Sequence, residues 1–371
     1  MNPDELYMAR CLQLAKNGEL GAAPNPMVGA VIVCDGKIIG EGFHAHCGGP
    51  HAEVNAFNSV RDGSLLSKST LYVSLEPCAH YGRTPPCAQL VVDKGVRRVV
   101  VGCIDPFAKV RGRGVRLIHD AGIDIQLGVL DSQCKELNRR FFTFHTCRRP
   151  YITLKWAQTS DGIIGFRANT NGQSRRLMIS SLPTMRRVHH LRARHSAILV
   201  GYNTALWDNP SLTTRLVDGP DPLRIVIDPQ GRLPQTLSLF DGSVPTLVFG
   251  YRRSHSVAGR MGVEFVKVDK DGDFIRQLLD ELYNRNIQSV LVEGGGAVLQ
   301  HFLTQGLWDE AHVEHASWSL NSMYGRVSRG SVVRAPIIES EPYSCERLGS
   351  SVIKHYFSGR MVDGARFIGQ K

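Results

Sequence analysis

The residues with the clearest chemistry in this sequence are one histidine, one glutamate and two cysteines. His51 and Glu53 are followed by Cys78 and Cys87, each of the cysteines directly after a proline. One imidazole and two thiolates supply three ligands for a zinc ion and leave a fourth position open for water. Zinc lowers the pKa of such a water to about 7, so hydroxide is available at neutral pH. The ordered set therefore predicts a hydrolytic zinc site rather than a chance grouping of core cysteines and a surface histidine.

Glu53 is the candidate proton carrier of this site. It lies two residues after His51, in the same first turn of a predicted helix, so its carboxylate can face the bound water without ligating the metal. It would take the proton of the water and hand it to a departing amine. Cys78 and Cys87 both fit helix starts, where the helix dipole and the free N–H groups favour thiolate. The expected reaction is hydrolytic deamination.

The elements that must position these residues can be predicted from the apolar pattern. Apolar residues at helical spacing predict helices, and short apolar runs bounded by glycine or proline predict strands. Asp35-Gly36 between two such runs is a hairpin signal. In the first half the pattern predicts helices over 5–16, 51–60, 87–95, 113–122 and 130–142, and strands over 27–34, 37–43, 70–75 and 99–101.

A polar stretch with a proline, 145–150, marks a domain boundary, so we expect domains at 1–147 and 148–371. The second half alternates short apolar runs with helical spacing, which predicts an α/β sheet. The segment 315–335 is rich in serine, glycine and arginine and is predicted to be a long loop. The strands are expected over 151–156, 197–200, 224–227, 246–249 and 290–292, and the helices over 274–283 and 298–303.

A run of three glycines, 294–296, follows a predicted strand in the second half and opens a helix. Glycine lets the backbone approach a phosphate closely, and the helix N-terminus supplies N–H donors. A tight turn from strand to helix needs glycine in any case, so phosphate binding and a plain turn both remain open. The Gly-x-Gly-x-x-Gly fingerprint of classical dinucleotide-binding folds is absent.

Composition limits the classes of protein to consider. The 371 residues carry a net charge of +10. Such a charge attracts nucleic acid or phosphorylated small molecules, but a basic soluble protein without any acidic partner is an equally open alternative. The nine cysteines are an odd number in a long chain, unlike a secreted disulfide scaffold. Neither a signal peptide nor an apolar run of about 18 residues is present. We therefore expect a cytoplasmic protein with reduced thiols and no membrane segment, in which Cys11, Cys34 and Cys103 are core residues and Cys47 is not a ligand.

The His-x-Glu and Pro-Cys pattern resembles the cytidine-deaminase superfamily, in which the motif usually ends Pro-Cys-x-x-Cys. Here eight residues, 79–86, separate the two cysteines. This longer insert, with Pro24-Asn-Pro-Met-Val-Gly29 upstream, resembles the bifunctional RibD-type deaminase/reductase family of riboflavin biosynthesis over about the first 145 residues. The resemblance implies a cytidine-deaminase-like α/β/α domain in which His51, Cys78 and Cys87 hold one zinc ion and Glu53 is the catalytic proton shuttle. It further implies that the substrate is bound by Asn25, His44 and Arg83.

The second half is similar to the reductase domain of the same family from 151 to about 310 and fades beyond that. The similarity rests on Lys155-Trp-Ala-Gln-Thr-Ser-Asp-Gly162, on 191–204 and on 208–215. It implies a dihydrofolate-reductase-like α/β domain that uses NADPH, with Lys155 near the centre of hydride transfer. Cofactor contacts are then expected from Gln158, Met178, Thr204, Asp208, Gly295, Gly296, Ala297, Val298 and Leu299. Substrate contacts are expected from Ser174, Arg192, Leu212, Arg215 and Glu293.

The two arginines of the substrate set suit a phosphate, which arginine binds bidentately. Glu293, at the carboxyl end of a strand, suits the hydroxyls of a sugar. Plain surface solvation is the alternative for both arginines. The nearby residues Arg186, Arg187, His189 and His190 are predicted to form the exposed face of a helix.

The chain also departs from the family pattern. Met178-Ile-Ser-Ser181 stands where Trp-Ile-Thr-Ser is frequent, Gln158 stands where alanine is usual, and Asp105-Pro-Phe-Ala108 stands where Asp-Pro-Asn-Pro is common. A Pro-Lys-Leu-Leu-Gly pattern after Glu314 is missing. These departures concern the reductase half more than the deaminase half.

Three functions follow as hypotheses. The first is a bifunctional enzyme that deaminates 2,5-diamino-6-(5-phosphoribosylamino)pyrimidin-4-one at zinc and then reduces the ribosyl group to ribityl with NADPH. The second is a deaminase whose second half is a degenerate module for binding or dimerisation. The third, a nucleic-acid deaminase, is opposed by the spacing of the two cysteines and by the fused second half. The family resemblance implies a small-molecule substrate, no nucleic-acid partner and a homo-oligomer.

Overall fold

The computed structural model describes residues 2–79, 85–107, 110–166, 177–253, 259–324 and 332–359. These residues form two compact units, the first ending at Arg148 and the second beginning at Arg149. Arg83 and Ser174, two expected substrate contacts, lie outside the described residues. No helix in the described part of the chain is both long and apolar enough to span a bilayer.

The first unit is built on a five-stranded sheet of order β2-β1-β3-β4-β5. Its strands are β1 Gly29–Cys34, β2 Lys37–Phe43, β3 Thr70–Leu75, β4 Arg98–Cys103 and β5 Asp124–Leu127. β1 runs antiparallel to β2 and β3, whereas β3, β4 and β5 are parallel. Asp35 and Gly36 both have positive φ between β1 and β2, which confirms the predicted two-residue hairpin.

Helices cover both faces of this sheet, which confirms the expected α/β/α arrangement. They are α1 Pro3–Ala15, α2 Ala52–Ser59, α3 Cys87–Lys94, α4 Arg113–Asp120, α5 Asp131–Leu137 and α6 Arg139–Cys147. Ala30 and Ile32 of β1 pack into one core with the buried faces of α2, α3 and α4. Gly29 faces the other way, and a Cβ atom on it would lie 2.0 Å from the carbonyl oxygen of Cys11 in α1. Alternate residues of one strand therefore serve the two layers.

The single helix expected over 130–142 is wrong, because two helices, α5 and α6, meet at Asn138. The backbone of Asn138 has φ −102° and ψ 22° and leaves the helical region. Its side chain binds the peptide groups of Met27 in both directions, since Oδ1 accepts from the N–H and Nδ2 donates to the carbonyl, each at 2.8 Å. An asparagine side chain that binds backbone elsewhere favours a helix end over a helix interior.

The second unit contains a nine-stranded sheet of order β11-β10-β9-β8-β12-β6-β13-β16-β15. The seven strands from β11 to β13 in that order are parallel, and β16 and β15 add an antiparallel edge. The strands are β6 Tyr151–Gln158, β8 Ala197–Gly201, β9 Leu223–Ile227, β10 Thr246–Gly250, β11 Val263–Lys267, β12 Ser289–Val292, β13 Glu310–His315, β15 Ser344–Leu348 and β16 Ser351–Phe357. The helices are α7 Leu182–Ala193, α8 Tyr202–Asp208, α9 Phe274–Asn284 and α10 Gly296–Thr304.

The expectation of a long loop over 315–335 is wrong within the described residues. A short helix, α11 Leu320–Tyr324, follows β13, and β14 Val332–Arg334 pairs with β7 Ile163–Phe166 in a separate two-stranded sheet. A strand of three residues is too short to show an alternating pattern. Its partner lies about 170 positions earlier in the chain, so the sequence carries no local signal for the pair.

Candidate active sites

His51, Cys78 and Cys87 come together beside the carboxyl end of β3. His51 is the N-cap of α2, and Cys87 is the first residue of α3. Nδ1 of His51 lies 3.6 Å from Sγ of Cys78 and 3.2 Å from Sγ of Cys87. Tetrahedral zinc, with Zn–S near 2.3 Å and Zn–N near 2.0–2.1 Å, places sulfur and nitrogen ligands about 3.6 Å apart. The three side chains therefore fit a zinc ion.

The two cysteines reach this site from different local structures. Cys87 begins a helix, as expected, but Cys78 follows β3 and begins no helix in the described residues. The backbone N–H of Cys87 donates to Sγ of Cys78 at 3.3 Å, so the start of α3 serves both sulfurs. A hydrogen bond from the Cys87 thiol, and another from His51, lower the pKa of Cys78 to about 4. The hydrogen bond between the two sulfur atoms, together with burial, raises the pKa of Cys87. Two cysteine side chains that share one proton in this way are expected to release it when a metal ion binds.

Glu53 lies in the first turn of α2, next to these ligands, and is almost fully buried. Burial, together with the negative charge of Cys78, raises the pKa of Glu53 to about 7. A carboxyl group with a pKa near the working pH can both accept and release a proton during a reaction cycle. The position and the environment of Glu53 are those required of a proton shuttle.

Asn25 and His44 lie beside the same centre, since the His44 ring meets the His51 ring edge-on with centroids 5.3 Å apart. Nδ1 of His44 lies 3.0 Å from the carbonyl oxygen of Pro50, which only accepts, so Nδ1 carries the proton. Nε2 of His44 must then accept from Nδ2 of Asn25, at 3.0 Å. The amide oxygen of Asn25 is left to accept a hydrogen bond from a ligand. Burial lowers the pKa of His44, which favours this neutral form.

Glu76 is a buried carboxylate of this site that sequence reasoning missed. Four backbone N–H groups donate to it at 2.9–3.3 Å, those of Asp105, Gly112, Gly114 and Val115. A Cβ atom on Gly114 would lie 2.0 Å from the carbonyl oxygen of Pro77, so only glycine allows this approach. Glu76 and Gly114 thus fix the chain immediately before Cys78. The available signal was an acidic residue before Pro-Cys together with a glycine-rich segment that can bind a carboxylate.

In the second unit, expected cofactor residues gather where β6, β8 and β12 end. Gly295 is the N-cap of α10 with φ 75°, and a Cβ atom on it would lie 3.2 Å from Oγ1 of Thr204 in α8. Val298 packs against Gly201 at the end of β8, where a Cβ atom would lie 2.7 Å away. Thr204, Gly295 and Val298 are therefore neighbours. The start of α10 also contains Gly296 and Ala297, while Asp208 closes α8.

Three other expected cofactor residues have different surroundings. The side chain of Leu299 is fully buried in the core under α10, so only its backbone can face a ligand. Met178 is about half exposed, at 53%. Gln158 ends β6, where its Oε1 accepts from Nε1 of Trp156 at 2.8 Å and its Nε2 donates to Nδ1 of His315 at 3.4 Å. The orientation of the Gln158 amide is thereby fixed.

The expected substrate residues Arg192 and Glu293 bind one another. Nε and Nη2 of Arg192 donate to the two carboxylate oxygens of Glu293 at 2.8 and 2.7 Å. Burial alone would raise the pKa of Glu293, but the charge and hydrogen bonds of Arg192, with the charge of Lys155, hold it below its usual value. Lys155 therefore lies close enough to act electrostatically on the same carboxylate. Glu293 stays ionised in a buried position at the end of β12.

Leu212 and Arg215 lie in a loop of unusual conformation. Leu212 is buried and has φ 54°, so its side chain anchors the loop in the core and only its backbone is available to a ligand. The guanidinium of Arg215 donates to the hydroxyls of Ser211 and Thr213. The loop thus gathers one cation and two hydroxyl groups.

The prediction of an exposed helix face at 186–190 is wrong for two of its four residues. His189 is buried, and its Nδ1 accepts from the backbone N–H of Arg215 at 2.8 Å. Arg187 forms an ion pair with Glu346 at 2.6 Å. The buried face of α7 carries His189 and Arg192 beside Val188 and Leu191, so polar side chains interrupt the apolar stripe by which an inner face is recognised.

The sheet order and the three clustered ligands define the first unit as a zinc-binding domain of cytidine-deaminase-like fold, and the second unit is an α/β domain with a mostly parallel sheet. The description "Cytidine and deoxycytidylate deaminase zinc-binding region" fits residues 1–103, and "RibD C-terminal domain" fits residues 150–350. The chain belongs to the RibD family of bifunctional riboflavin-biosynthesis enzymes.

Individual relatives agree with this assignment. The riboflavin biosynthesis protein RibD of Aquifex aeolicus is 40% identical over 309 residues, which cover 82% of this chain and 85% of the relative. The crystal structure of a diaminohydroxyphosphoribosylaminopyrimidine deaminase/5-amino-6-(5-phosphoribosylamino)uracil reductase from Thermotoga maritima is similar with a TM-score of 0.79, at 34% identity, and covers 95% of this chain and 98% of that one. Acinetobacter baumannii RibD gives a TM-score of 0.83 at 31% identity, covering 96% and 98%.

The family assignment settles several of the expectations made from the sequence. The chain is a bifunctional enzyme of riboflavin biosynthesis that has deaminase and reductase activities and uses zinc and NADPH. The expectation that the similarity to the reductase domain fades at about 310 is wrong, because the similarity continues to 350 and takes in β15. A degenerate second half is not favoured.

Proposed function

We propose that residues 1–147 deaminate 2,5-diamino-6-(5-phosphoribosylamino)pyrimidin-4-one and that residues 148–371 reduce the ribosyl group of the product to ribityl. The observation that carries the first step is the convergence of His51, Cys78 and Cys87 beside buried Glu53. The Thermotoga maritima relative is named for the deamination of a diaminohydroxyphosphoribosylaminopyrimidine and the reduction of a 5-amino-6-(5-phosphoribosylamino)uracil, which supports this choice.

For deamination, the chain must hold the ring, move one proton and release ammonia. Zinc held by the three ligands would lower the pKa of a bound water to about 7. Glu53 would take a proton from the attacking water as its oxygen bonds to the carbon that carries the amino group, and would return that proton to the neighbouring ring nitrogen. The proton of the added hydroxyl would then pass through Glu53 to the amino nitrogen, so that the carbon–nitrogen bond breaks, ammonia leaves and a carbonyl remains. The amide oxygen of Asn25, directed by His44, accepts a hydrogen bond from a ring N–H or amino group.

For reduction, NADPH would supply the hydride for C1 of the ribosyl group; the bond between C1 and the ring oxygen breaks, and that oxygen must gain a proton as the sugar opens. Lys155, whose charge acts on Glu293, is the residue that we assign to supply this proton. Glu293 accepts hydrogen bonds from the sugar hydroxyls, and Arg215, with Arg192 behind it, binds the phosphate. Thr204 and the first turn of α10 would hold the cofactor, together with Met178, Gln158 and Asp208. Arg83 and Ser174, which lie outside the described residues, are assigned to the substrates by the family resemblance alone.

The cellular setting belongs to the same proposal. All nine cysteines carry free thiols, which suits a reducing compartment, and we place the enzyme in the cytoplasm. The substrate is a phosphorylated small molecule, so the positive net charge serves phosphate and needs no nucleic-acid partner. Family resemblance favours a homo-oligomer, which sedimentation of the purified chain would test.

The test is a two-stage assay on the zinc-replete protein. The phosphoribosylaminopyrimidinone is supplied and ammonia is measured; NADPH is then added and its oxidation is followed. We expect both signals from the wild type and no ammonia from Glu53→Gln. Oxidation of NADPH by Glu53→Gln that is given the deaminated compound would show that the second site is intact. A zinc-loaded wild type that releases no ammonia from this substrate would overturn the proposal.

A further inference from the structure

The buried face of α7 carries two polar side chains that the reaction outlined above does not fully explain. His189 and Arg192 are three residues apart and therefore lie on the same side of the helix. Only 6% of His189 and 9% of Arg192 is exposed. Both face the loop 211–215, which contains the expected phosphate ligand Arg215.

Each of the two side chains binds the backbone of this loop. Nδ1 of His189 accepts from the N–H of Arg215 at 2.8 Å, and Nη1 of Arg192 donates to the carbonyl oxygen of Thr213 at 2.9 Å. Because His189 accepts at Nδ1, it is neutral and carries its proton on Nε2. Burial, with the charges of Arg192 and Arg215, lowers the pKa of His189 to about 4, so the acceptor persists at neutral pH.

The loop needs such support because its conformation is strained. Leu212 has φ 54°, in the left-handed region that a leucine adopts only at a cost. Its side chain is buried in the same apolar cluster as Leu191 of α7. Three anchors, one apolar and two polar, therefore hold the loop on α7. At the end of this loop, the Arg215 guanidinium donates hydrogen bonds to the hydroxyls of Ser211 and Thr213.

We propose that His189 is a positioning residue of the reductase: by accepting the N–H of Arg215 it fixes the backbone from which the Arg215 guanidinium meets the phosphate of the substrate. This inference rests on the proposed function of the second unit. His189 itself touches no substrate. If His189 acts through Arg215, its replacement should weaken the binding of a phosphate monoester. Reactions that do not involve Arg215, such as ammonia release by the first unit, should be unaffected.

The experiment compares His189→Leu, which has no acceptor, with His189→Asn, whose Oδ1 can take the place of Nδ1. In the full-length, zinc-replete protein we would measure KM and kcat for NADPH-dependent reduction, and the inhibition constant of ribose 5-phosphate. Loss of one buried hydrogen bond is worth a factor of about 5–10 in affinity. We expect His189→Leu to raise KM and the inhibition constant by that factor, and His189→Asn to stay within about twofold of the wild type.

A double-mutant comparison keeps the test sharp. In an Arg215→Ala background the phosphate ligand is gone, so His189→Leu should change the inhibition constant no further. Equal effects of His189→Leu and His189→Asn, or an unchanged inhibition constant in both, would overturn the inference. Tryptophan fluorescence serves as the control for a folded second unit, since all four tryptophans belong to it. A wild type that oxidises no NADPH would defeat the proposed function instead, and ribose 5-phosphate binding by the same variants would still decide the role of His189.

Discussion

Arg192 meets Glu293 in a bidentate ion pair, with Nε–Oε1 and Nη2–Oε2 distances of 2.8 and 2.7 Å. Both side chains are largely buried, with 11% and 9% of the side-chain surface exposed. Arg192 was expected from resemblance to bind substrate phosphate, and much of its hydrogen-bonding capacity is committed to Glu293 and to Thr213. A buried carboxylate that loses its arginine is left with uncompensated charge. The orientation of Glu293 therefore depends on Arg192.

We predict that Arg192→Lys lowers kcat/KM of the reductase by about 10–100-fold, because lysine keeps the charge but cannot form the planar pair. NADPH oxidation with the deaminated substrate is the measurement. Arg186→Lys is the matched control, since Arg186 is exposed on the same helix and the same chemical change is made there. Equal activity of the two variants would show that charge alone is needed at position 192.

The zinc ligands lead to a second prediction. Cys78→Ser should lower the zinc content of the purified protein and abolish ammonia release, because a hydroxyl is a far weaker zinc ligand than a thiolate. Cys47→Ser is the control, since Cys47 is an exposed thiol close to the site in sequence and is not one of the three clustered ligands. Zinc is measured by elemental analysis. Loss of zinc in Cys47→Ser as well would require a different ligand set. Reduction by either variant should persist.

The ease with which the zinc site was predicted has a physical origin. Its ligands lie at the starts of helices or shortly after a strand. Cysteine and histidine have few structural uses in such places, so the pattern is easy to recognise in a sequence. His51 is the N-cap of α2 and Cys87 the first residue of α3, where local sequence specifies the geometry. Seven of the ten parallel strands in the described residues were predicted for a similar reason, because buried strands are continuous apolar runs. The prediction missed β5 and β11, which are partly exposed edge strands, and β13, whose sequence Glu-Ala-His-Val-Glu-His carries polar residues.

Glu76 and His189 were missed because their partners are backbone N–H groups far away in the chain. Gly112 and Gly114 lie about 36–38 positions after Glu76, and Arg215 lies 26 positions after His189. A backbone N–H has no residue type, so such a bond leaves no pattern in a sequence. A buried polar side chain then looks the same as an exposed one, which is why His189 was placed on a solvent face.

Glu76 gives a third prediction. Glu76→Gln removes the charge and keeps a single oxygen acceptor, so about two of the four backbone N–H groups lose their partner inside the protein. At roughly 1–3 kcal/mol for each unsatisfied group, we expect the free energy of unfolding of the first unit to fall by about 2–6 kcal/mol. Because Glu76 precedes Pro77 and Cys78, zinc should also pass to a chelator faster than from the wild type.

The control for this variant is Glu41→Gln, which breaks the partly exposed pair with Arg10. It should leave zinc release unchanged, since Glu41 lies on β2 and does not contact the ligands. Zinc transfer is followed with a coloured chelator. If Glu76→Gln destabilises the first unit but releases zinc at the wild-type rate, Glu76 supports the fold only and does not position Cys78.

The second unit also holds a directed chain of hydrogen bonds. Nη2 of Arg187 lies 3.3 Å from Nε2 of His355, which must accept, so Nδ1 of His355 donates to Nδ1 of His312 at 2.8 Å. Nε2 of His312 then faces Oε1 of Glu310 at 3.0 Å. His355, His312 and Glu310 are buried on β16 and β13, and Arg187 of α7 is partly exposed. Burial first, and then the electrostatic influence of the neighbouring His312 ring and of Arg187, lowers the pKa of His355 to about 4.

This pKa gives the last prediction, on stability against pH. The pKa of a histidine in the unfolded chain is near 6.5, so the folded state binds the His355 proton less readily than the unfolded state does. The contribution of neutral His355 to the free energy of unfolding is therefore fully present above pH 6.5 and is lost as the pH falls towards about 4. The loss from His355 amounts to about 2–3 kcal/mol. His189 adds a loss of the same sign in the same range. All four tryptophans belong to the second unit, so denaturant titration followed by tryptophan fluorescence reports that unit alone. His355→Gln should flatten the dependence between pH 6.5 and 4 without removing it; a variant as pH-sensitive as the wild type would show that His355 is charged in the folded state.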